Sequence, residues 1–432
     1  MKVLLLSVYH PDLLRGGAQR VAYELFQGLK AMDGVEPVLL ASIDPSFTAF
    51  YKSGAQITGF DGRDNEFLFL SQNYDYVWHR CNAPLLLEAY AEFLRLTRPD
   101  VVHFHHFLLF GLELLSLTRR VLPQARIVFT LHEFMTICAA DGHMLRRADN
   151  ALCHRASSVR CHQCLPDHPP EHFFMRTLWV KRHLRVVDAF TAPSRFMIEH
   201  FVAWGLDRAQ ITHVTNGQRD YNIGLMPEDD RPRRNRFGFF GQLVDVKGVW
   251  LLLEAVQLLR ADGFTDFIVE INGDNLRFAS PARRADIEGF LAAENRLPLA
   301  ERRVFFNGSY DVEKLPALMA RIDWCVVPSV WWEIFGLVIS EAMMFRRPVI
   351  CADIGGPGER VLNGVDGLHF QVGDARSLAA TMRRACLDSG LWSSLSASMS
   401  APPDRSAMVD GFISIYKGAT PGMQPASISA AA

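Results

Sequence analysis

Nowhere in this 432-residue chain do about 18 apolar residues follow one another, the length a membrane-spanning helix needs. Even residues 107–117 hold Glu113 and are flanked by histidines and arginines, so no transmembrane span is expected. No sign of charge is in excess either. Forty-five Lys and Arg stand against 47 Asp and Glu, a formal charge of -2, which leaves neither a nucleic-acid footprint nor an acidic tail. No export signal is expected from residues 1–8 either: they are apolar, but the run is short and breaks at His10-Pro11-Asp12 without a small-residue cleavage site. It reads instead as a buried parallel strand. No short-period repeat occurs, and Cys161-x-x-Cys164 has no second C-x-x-C to match it. What is present is an apolar fraction of 49%, ordinary for α/β cores, in a chain long enough for two domains of about 200 residues each.

Short apolar runs alternate with longer helix-like segments, the signature of parallel sheets covered by helices. The expected strands are 2–8, 37–42, 56–60, 100–104, 126–131, 188–192 and 211–214 in the first half. In the second they are 236–240, 267–271, 303–306, 323–327 and 348–352. The charged, proline-bearing stretch 227–236 reads as a linker, and 421–432, small and polar, as a disordered tail.

Directly after the strand at 323–327, which Pro328-Ser329 ends, comes Glu333-Ile334-Phe335-Gly336-Leu337-Val338-Ile339-Ser340-Glu341, and 336–345 is good helix material. Where a strand feeds a helix, free backbone N–H groups and the helix dipole favour an anion, and Gly336 lets the backbone approach a ligand closely. If all eight steps between the carboxylates were helical, they would lie about 12 Å apart along the axis. That exceeds the ~5 to 9.5 Å of a glycosidase acid pair. The two carboxylates therefore read as gripping two hydroxylated parts of one extended ligand with an anionic middle, which describes a nucleotide diphosphate sugar.

The segment 328–341 resembles the E-x7-E signature of family 4 of the retaining glycosyltransferases, which have the GT-B architecture of two facing Rossmann-like domains. Further resemblances follow in order. Arg15-Gly16-Gly17-Ala18-Gln19-Arg20 is similar to the family's N-terminal glycine loop, Thr130-Leu131-His132-Glu133 to its active-site histidine segment, and Ala192-Pro193-Ser194 with Asn216-Gly217 to the run into the linker. Phe240-Gly241-Gln242-Leu243 with Lys247-Gly248, Pro348-Val349-Ile350, Gly355-Gly356 with Glu359, and Asp366-Gly367-Leu368 continue the pattern.

The resemblance implies an α/β chain with an N-terminal Rossmann-like, acceptor-side domain over 1–220 and a C-terminal Rossmann-like, nucleotide-sugar-binding domain over 235–400. A helix within 401–420 would cross back to the first domain, and 421–432 would be the tail. It implies a cytoplasmic enzyme, at most peripheral at the inner face of the membrane, that moves a sugar with retention from a nucleotide diphosphate sugar to a polysaccharide or lipid-linked acceptor in surface glycan biosynthesis. No catalytic metal is implied. Glu333 would hold sugar hydroxyls and Glu341 the ribose, while Lys247 and the backbone near Phe335, Gly336 and Leu337 would meet the diphosphate. His132 would complete the sugar pocket from the opposite domain. Gly16 and Gly17 would offer amides to donor phosphates or acceptor, unless they merely form a turn that needs positive φ. Family members usually carry Arg where this chain has Gln242, which can donate only neutral hydrogen bonds, roughly half as strong as charged ones. A GT-B sugar-nucleotide epimerase and a catalytically silent GT-B scaffold are the rival readings; retention of Glu333, Glu341, Lys247 and His132 argues against the scaffold.

Three groups of residues stand apart from that pattern. Cys138, Cys153, Cys161 and Cys164 could supply a tetrahedral thiolate site for structural zinc that closes an irregular loop; the alternative is reduced loop cysteines in a cytosolic protein. Cys81, Cys325, Cys351 and Cys386 sit in apolar or helical contexts and read as core. Phe173, Phe174 and Trp179 are interleaved with Arg176, Lys181, Arg182 and Arg185, which fits either a helix resting on an anionic membrane or a core helix with a solvated basic face. His103, His105 and His106 read as packing and capping residues, with the acceptor cleft as the alternative for one of them.

Overall fold

The computed structural model describes residues 1–60, 62–219, 221 and 233–418. The expected tail and residues 227–232 of the expected linker lie outside that set. The chain forms two compact units, Met1–Gly217 with the chain from Arg405 onward, and Gln218–Asp404. The expected domains were 1–220 and 235–400. Tyr221 therefore falls within the second unit, ahead of the expected start.

The first unit begins with β1 (Lys2–Val8), α1 (Gly17–Lys30), β2 (Glu36–Ile43), β3 (Ile57–Gly59) and β4 (Glu66–Leu70). A two-residue hairpin, β5 (Tyr74–Asp75) and β6 (Arg80–Cys81), leads to α2 (Pro84–Thr97), β7 (Val101–Phe104), α3 (Glu113–Val121) and β8 (Arg126–Thr130). Then follow α4 (Ser158–Cys164), α5 (Pro170–Leu184), β9 (Ala189–Ala192), α6 (Arg195–Trp204) and β10 (Ile211–His213). The sheet order is β10-β9-β8-β7-β1-β2-β4-β3. Its pairings are parallel except at the β3–β4 edge. Residues Val3 to Leu6 have no exposed surface, which is why a central strand covered on both faces reads as an unbroken apolar run.

The second unit contains β11 (Arg236–Phe240), α7 (Val249–Ala261), β12 (Ile268–Asn272), α8 (Pro281–Arg296), β13 (Val304–Gly308) and α9 (Leu315–Ala320). Next come β14 (Trp324–Val327), α10 (Leu337–Met344), β15 (Val349–Ala352), α11 (Gly355–Arg360), β16 (Gly367–Phe370), α12 (Ala375–Leu387) and α13 (Leu391–Ser398). Its parallel sheet runs β13-β12-β11-β14-β15-β16. Each sheet holds a strand absent from the expected set. β4 completes the pairing of β2, and the expected strand at 56–60 is only a three-residue antiparallel edge against it. β16, four residues long, pairs with β15 at the other sheet's margin.

The last helix, α14 (Arg405–Tyr416), belongs to the first unit, as expected of a returning helix. It buries Met408, Val409, Phe412, Ile413, Ile415 and Tyr416. Arg405 Nε donates to Glu24 Oε2 of α1 at 2.7 Å, and Tyr416 Oη lies 2.7 Å from Nδ1 of the buried His103. α14 can come this close to α1 because residue 28 is glycine: a Cβ there would lie 2.5 Å from Val409 Cγ2. Gly28→Ala should therefore lower stability by ~1–3 kcal/mol through overpacking, despite the ~1 kcal/mol that alanine gains within a helix. Urea unfolding measures this, and a variant more stable than wild type would show that α14 does not seat on α1.

Candidate active site

In the second unit, β11 and β14 are neighbours, so the loops at their C-terminal ends lie side by side. The Val330 amide donates to Val246 O at 2.9 Å. Gly248 has φ +69°, and a Cβ there would stand 1.9 Å from Pro328 O. Glycine alone permits that contact. Lys247, one residue earlier, thereby reaches Glu333: Nζ lies 2.5 Å from Oε2, which also accepts from Ser329 Oγ and Trp331 Nε1, each at 3.1 Å. The ammonium sits 5.4 Å from the centre of the Trp331 ring.

The start of α11, just after β15, completes the arrangement. The Gly356 amide donates to Glu333 O at 2.7 Å, and Cβ atoms at Gly355 and Gly356 would meet Glu333 O at 2.6 Å and Ile334 O at 2.2 Å. Arg360 then fastens the entry to α10, donating to Phe335 O at 2.9 Å, Gly336 O at 3.0 Å and Ser340 Oγ at 2.6 Å. Its guanidinium carbon lies 3.6 Å from the centre of the Phe335 ring, and burial lowers its pKa to about 9. Trp331, Ser329 and Arg360 were not among the expected site residues. Only Arg360's place next to the Gly355-Gly356/Glu359 match could have drawn attention to it.

Three features of these residues go beyond what the local sequence pattern indicates. The eight steps from Glu333 to Glu341 are not all helical, because Gly336, at φ +71°, is the N-cap and α10 begins at Leu337. The ammonium of Lys247 is paired with Glu333. Glu341 is 3% exposed and accepts from Tyr221 Oη at 3.4 Å, a partner that no local pattern indicates. Gln242 is exposed in the turn after β11.

In the first unit, Gly16 is the N-cap of α1 at φ -156°, extended backbone open to any residue, and Gly17 is not among the positive-φ glycines. The turn reading that needed positive φ is thus set aside. The loop ahead of them is anchored by His10, an unexpected participant. Its Nε2 lies 2.8 Å from Glu66 Oε2, and Arg63 bridges Asp12 at 2.5 Å and Glu66 at 3.7 Å. Glu66 opens β4, the strand missing from the expected set, so this network was not visible beforehand.

His132 lies just past β8, half-buried, with Nε2 3.0 Å from His105 Nδ1 and the two rings stacked. Burial lowers its pKa to about 3, so the imidazole is neutral at working pH. His103 has two partners, Tyr416 and Thr130, each at 2.7 Å, and His106 Nδ1 accepts the Leu108 amide at 3.0 Å. These two are packing and capping residues. His105 Nε2, in contrast, is buried without a partner. Glu133 accepts the Met135 amide, and burial pushes its carboxyl up to about 7.

All eight cysteines are free thiols, with Cys81, Cys325 and Cys351 buried as core and Cys386 half-buried. Cys138, Cys153, Cys161 and Cys164 line one cavity of about 380 Å³. Among the described residues no three His, Cys, Asp or Glu side chains are arranged to hold a metal ion.

On α5 the basic residues divide between two faces. Arg176 is buried and donates to Val77 O at 2.6 Å, Met135 O at 2.5 Å and Thr136 O at 3.1 Å. Lys181 donates to Trp204 O at 2.9 Å, and Trp179 Nε1 to Trp78 O at 3.1 Å. Phe173 is core. The outward stripe is Phe174, Met175 and Leu178, 57%, 52% and 47% exposed, continuing into exposed Arg182 and Arg185. Arg176 was expected on the basic face and instead holds loops together from inside.

Two parallel-sheet units, with the terminal helix returned to the first, make up the GT-B fold. Solved structures agree: Anabaena Alr3699/HepE in complex with UDP-glucose aligns with 96% of this chain and 99% of its own at TM-score 0.63 and 19% identity. A model described as Glycosyl transferases group 1 matches residues 234–388, and one described as Glycosyltransferase Family 4 matches 15–218. The chain belongs to the group 1 glycosyltransferases. It is similar to the glycogen synthase of Mycobacterium tuberculosis, 26% identical over 400 residues, which cover 89% of this chain and 85% of the relative. The 2-deoxystreptamine glucosyltransferase of Streptomyces kanamyceticus is 32% identical over 182 residues, 42% of this chain and 43% of that one.

The raised carboxyl at Glu133 has a consequence for stability. Its ordinary value is 4.5 and its folded value about 7, so folding favours the protonated form. That contribution is complete below about pH 4.5 and is lost as pH rises through about 7. Glu133→Gln, which keeps an acceptor for the Met135 amide, should flatten the fall in unfolding free energy across this window. Denaturant titrations at several pH values would show it, and an unchanged slope would place the raised carboxyl elsewhere.

Proposed function

We propose that the protein is a retaining glycosyltransferase that moves a hexosyl unit from a nucleotide diphosphate sugar to a polysaccharide or lipid-linked glycan in surface glycan biosynthesis. The observation that carries this reading is the Glu333 carboxylate held by Lys247, Ser329 and Trp331 beside the N-terminus of α10. Its remaining oxygen, Oε1, is assigned to sugar hydroxyls. Glu341, with Tyr221 on one oxygen, is assigned to the ribose. The solved Anabaena neighbour in complex with UDP-glucose supports the donor class.

In this mechanism the chemistry is electrostatic. As the C1–O bond breaks, negative charge grows on the departing diphosphate, and groups already aimed at it lower the barrier. Lys247 and the free amides at the start of α10 are those groups. Before the donor arrives the ammonium is neutralised by Glu333, so the diphosphate competes for a cation that is already positioned. The fixed donors around Glu333 keep its carboxylate in place when Lys247 turns to the phosphate. His132, neutral, offers the sugar a hydrogen bond without adding charge. The charge assigned to Lys247 and the amides leaves the step without need of a divalent ion.

Glu333→Gln should cut turnover by ~100-fold or more while changing donor binding little, because a contact that tightens in the transition state acts on kcat. Lys247→Ala should weaken donor binding and turnover together, by ~10- to 100-fold. The product, examined by NMR, should keep the donor's anomeric configuration. An inverted product, or wild-type turnover in Glu333→Gln, would overturn the assignment, and interconversion of nucleotide sugars without acceptor would indicate the epimerase.

The outward stripe of α5 is assigned to the anionic inner face of the membrane, with Phe174, Met175 and Leu178 entering the headgroup region and Arg182 and Arg185 meeting lipid phosphates. This fits a lipid-linked acceptor. Replacing Phe174 and Leu178 with Ser and Arg182 and Arg185 with Gln should abolish salt-sensitive binding to vesicles containing phosphatidylglycerol. Arg176 is left intact, since its loss would disturb the core. Vesicle sedimentation equal to wild type would remove the stripe from the reading.

A further inference from the structure

Between β8 and α4 the chain runs through residues 131–157 with little regular structure. Its backbone is pinned mainly by a narrow turn in which Leu145 bridges Leu152, the Arg146 amide donates to Ala151 O at 2.9 Å and the Cys153 amide to Met144 O at 2.7 Å. Connections this long are rarely ordered inside a domain unless something ties them down. Arg176 anchors one end through Met135 O and Thr136 O.

Four thiols from three separate stretches of backbone line one cavity at this segment. Cys138 stands where the chain leaves the Arg176 anchor, its amide donating to Phe134 O at 2.7 Å. Cys153 closes the narrow turn. Cys161 and Cys164 lie three residues apart on α4, so one helical face carries both thiols. All four line the same cavity of about 380 Å³, whose remaining wall includes Met144, Leu145, Leu152 and Leu165. Arg146 and Arg160 also border it.

We propose that these four cysteines bind one Zn²⁺ ion that closes the segment onto α4. Four sulfur ligands in a cavity with an apolar wall suit a tetrahedral, closed structural site and leave no coordination position for catalysis. The thiols as they stand are not converged to ligating distance. Binding therefore draws Cys138 and Cys153 inward toward the pair on α4, narrowing the cavity. Each thiol gives up its proton to solvent on coordination, so four S–H groups become four Zn–S bonds with release of up to four protons. The resulting net charge of two minus is faced by Arg146 and Arg160 on the cavity wall. No electron transfer is involved, and the site is independent of the donor reading, since none of its residues is assigned to sugar or nucleotide.

The test uses the full chain, purified under reducing conditions with any affinity tag removed and no metal added. Elemental analysis should find about one zinc per chain. Titration of that protein with a mercurial thiol reagent, read by a zinc-sensitive dye, should release the ion as the four thiols are consumed, a measurement that needs no variant. The Cys161→Ser/Cys164→Ser double variant should hold at least tenfold less zinc, and cobalt substituted into the wild type should show sulfur-to-cobalt charge-transfer absorption. Less than about a tenth of a zinc per chain in protein with a normal thermal transition would overturn the proposal. So would iron in its place, or a Cys161–Cys164 disulfide found by mass spectrometry under the same conditions.

Discussion

Backbone can meet backbone closely only where no Cβ intervenes, and three such meetings of the second unit lie at its candidate site. Gly248 lies against Pro328 O, Gly355 against Glu333 O and Gly356 against Ile334 O. Together they gather the ends of β11, β14 and β15 around the start of α10. The pairing of Lys247 with Glu333 follows from that gathering, because the two residues are brought together from loops 86 positions apart. Removing a carboxylate and an ammonium from water costs several kcal/mol per ion when burial is deep. Here Lys247 keeps part of its surface in solvent, and a single oxygen of Glu333 collects three donors. The desolvation is thus offset without sealing either charge away.

The first unit holds the surroundings of His132 differently, through a buried polar chain. Tyr416 of α14 contacts His103, His103 contacts Thr130, and Thr130 Oγ1 lies 2.6 Å from Thr191 Oγ1. The chain runs from the returning helix across β7, β8 and β9. His132 lies two residues beyond Thr130, and its ring rests on His105. Low-dielectric surroundings strengthen such a network when its members are satisfied. They also keep the histidines neutral, which suits a group that orients a sugar rather than one that moves a proton. The unpartnered His105 Nε2 is the loose end of this arrangement.

α5 shows how composition can mislead about location. Its arginines, lysine and aromatics have the overall make-up of a membrane-surface helix, yet Arg176 is among the most thoroughly bonded residues of the unit, serving three carbonyls of two loops. Guanidinium carries five donors in a planar fork, so one buried arginine can satisfy several backbone acceptors that would otherwise be stranded. The apolar–basic stripe that does reach the surface, Phe174, Met175, Leu178, Arg182 and Arg185, repeats at three- and four-residue spacing on the face away from Arg176.

The amino-acid pattern by itself determined the two parallel sheets, their central strands and the strand-to-helix junction that carries Glu333 and Glu341, because those depend on apolar periodicity and on glycine and carboxylates close together in the chain; the returning helix followed from the family resemblance. It missed β4 and β16, which lie toward the sheet margins. Partnerships were decided only by tertiary structure: Lys247 with Glu333, Glu341 with Tyr221, Arg360 with the entry to α10, and Arg176 with the core. Each depends on which strands become neighbours. Local periodicity says that a segment is a strand and which residues are apolar, but the order β11-β14-β15 arises from the packing of the whole sheet, and only that order brings Lys247 to Glu333.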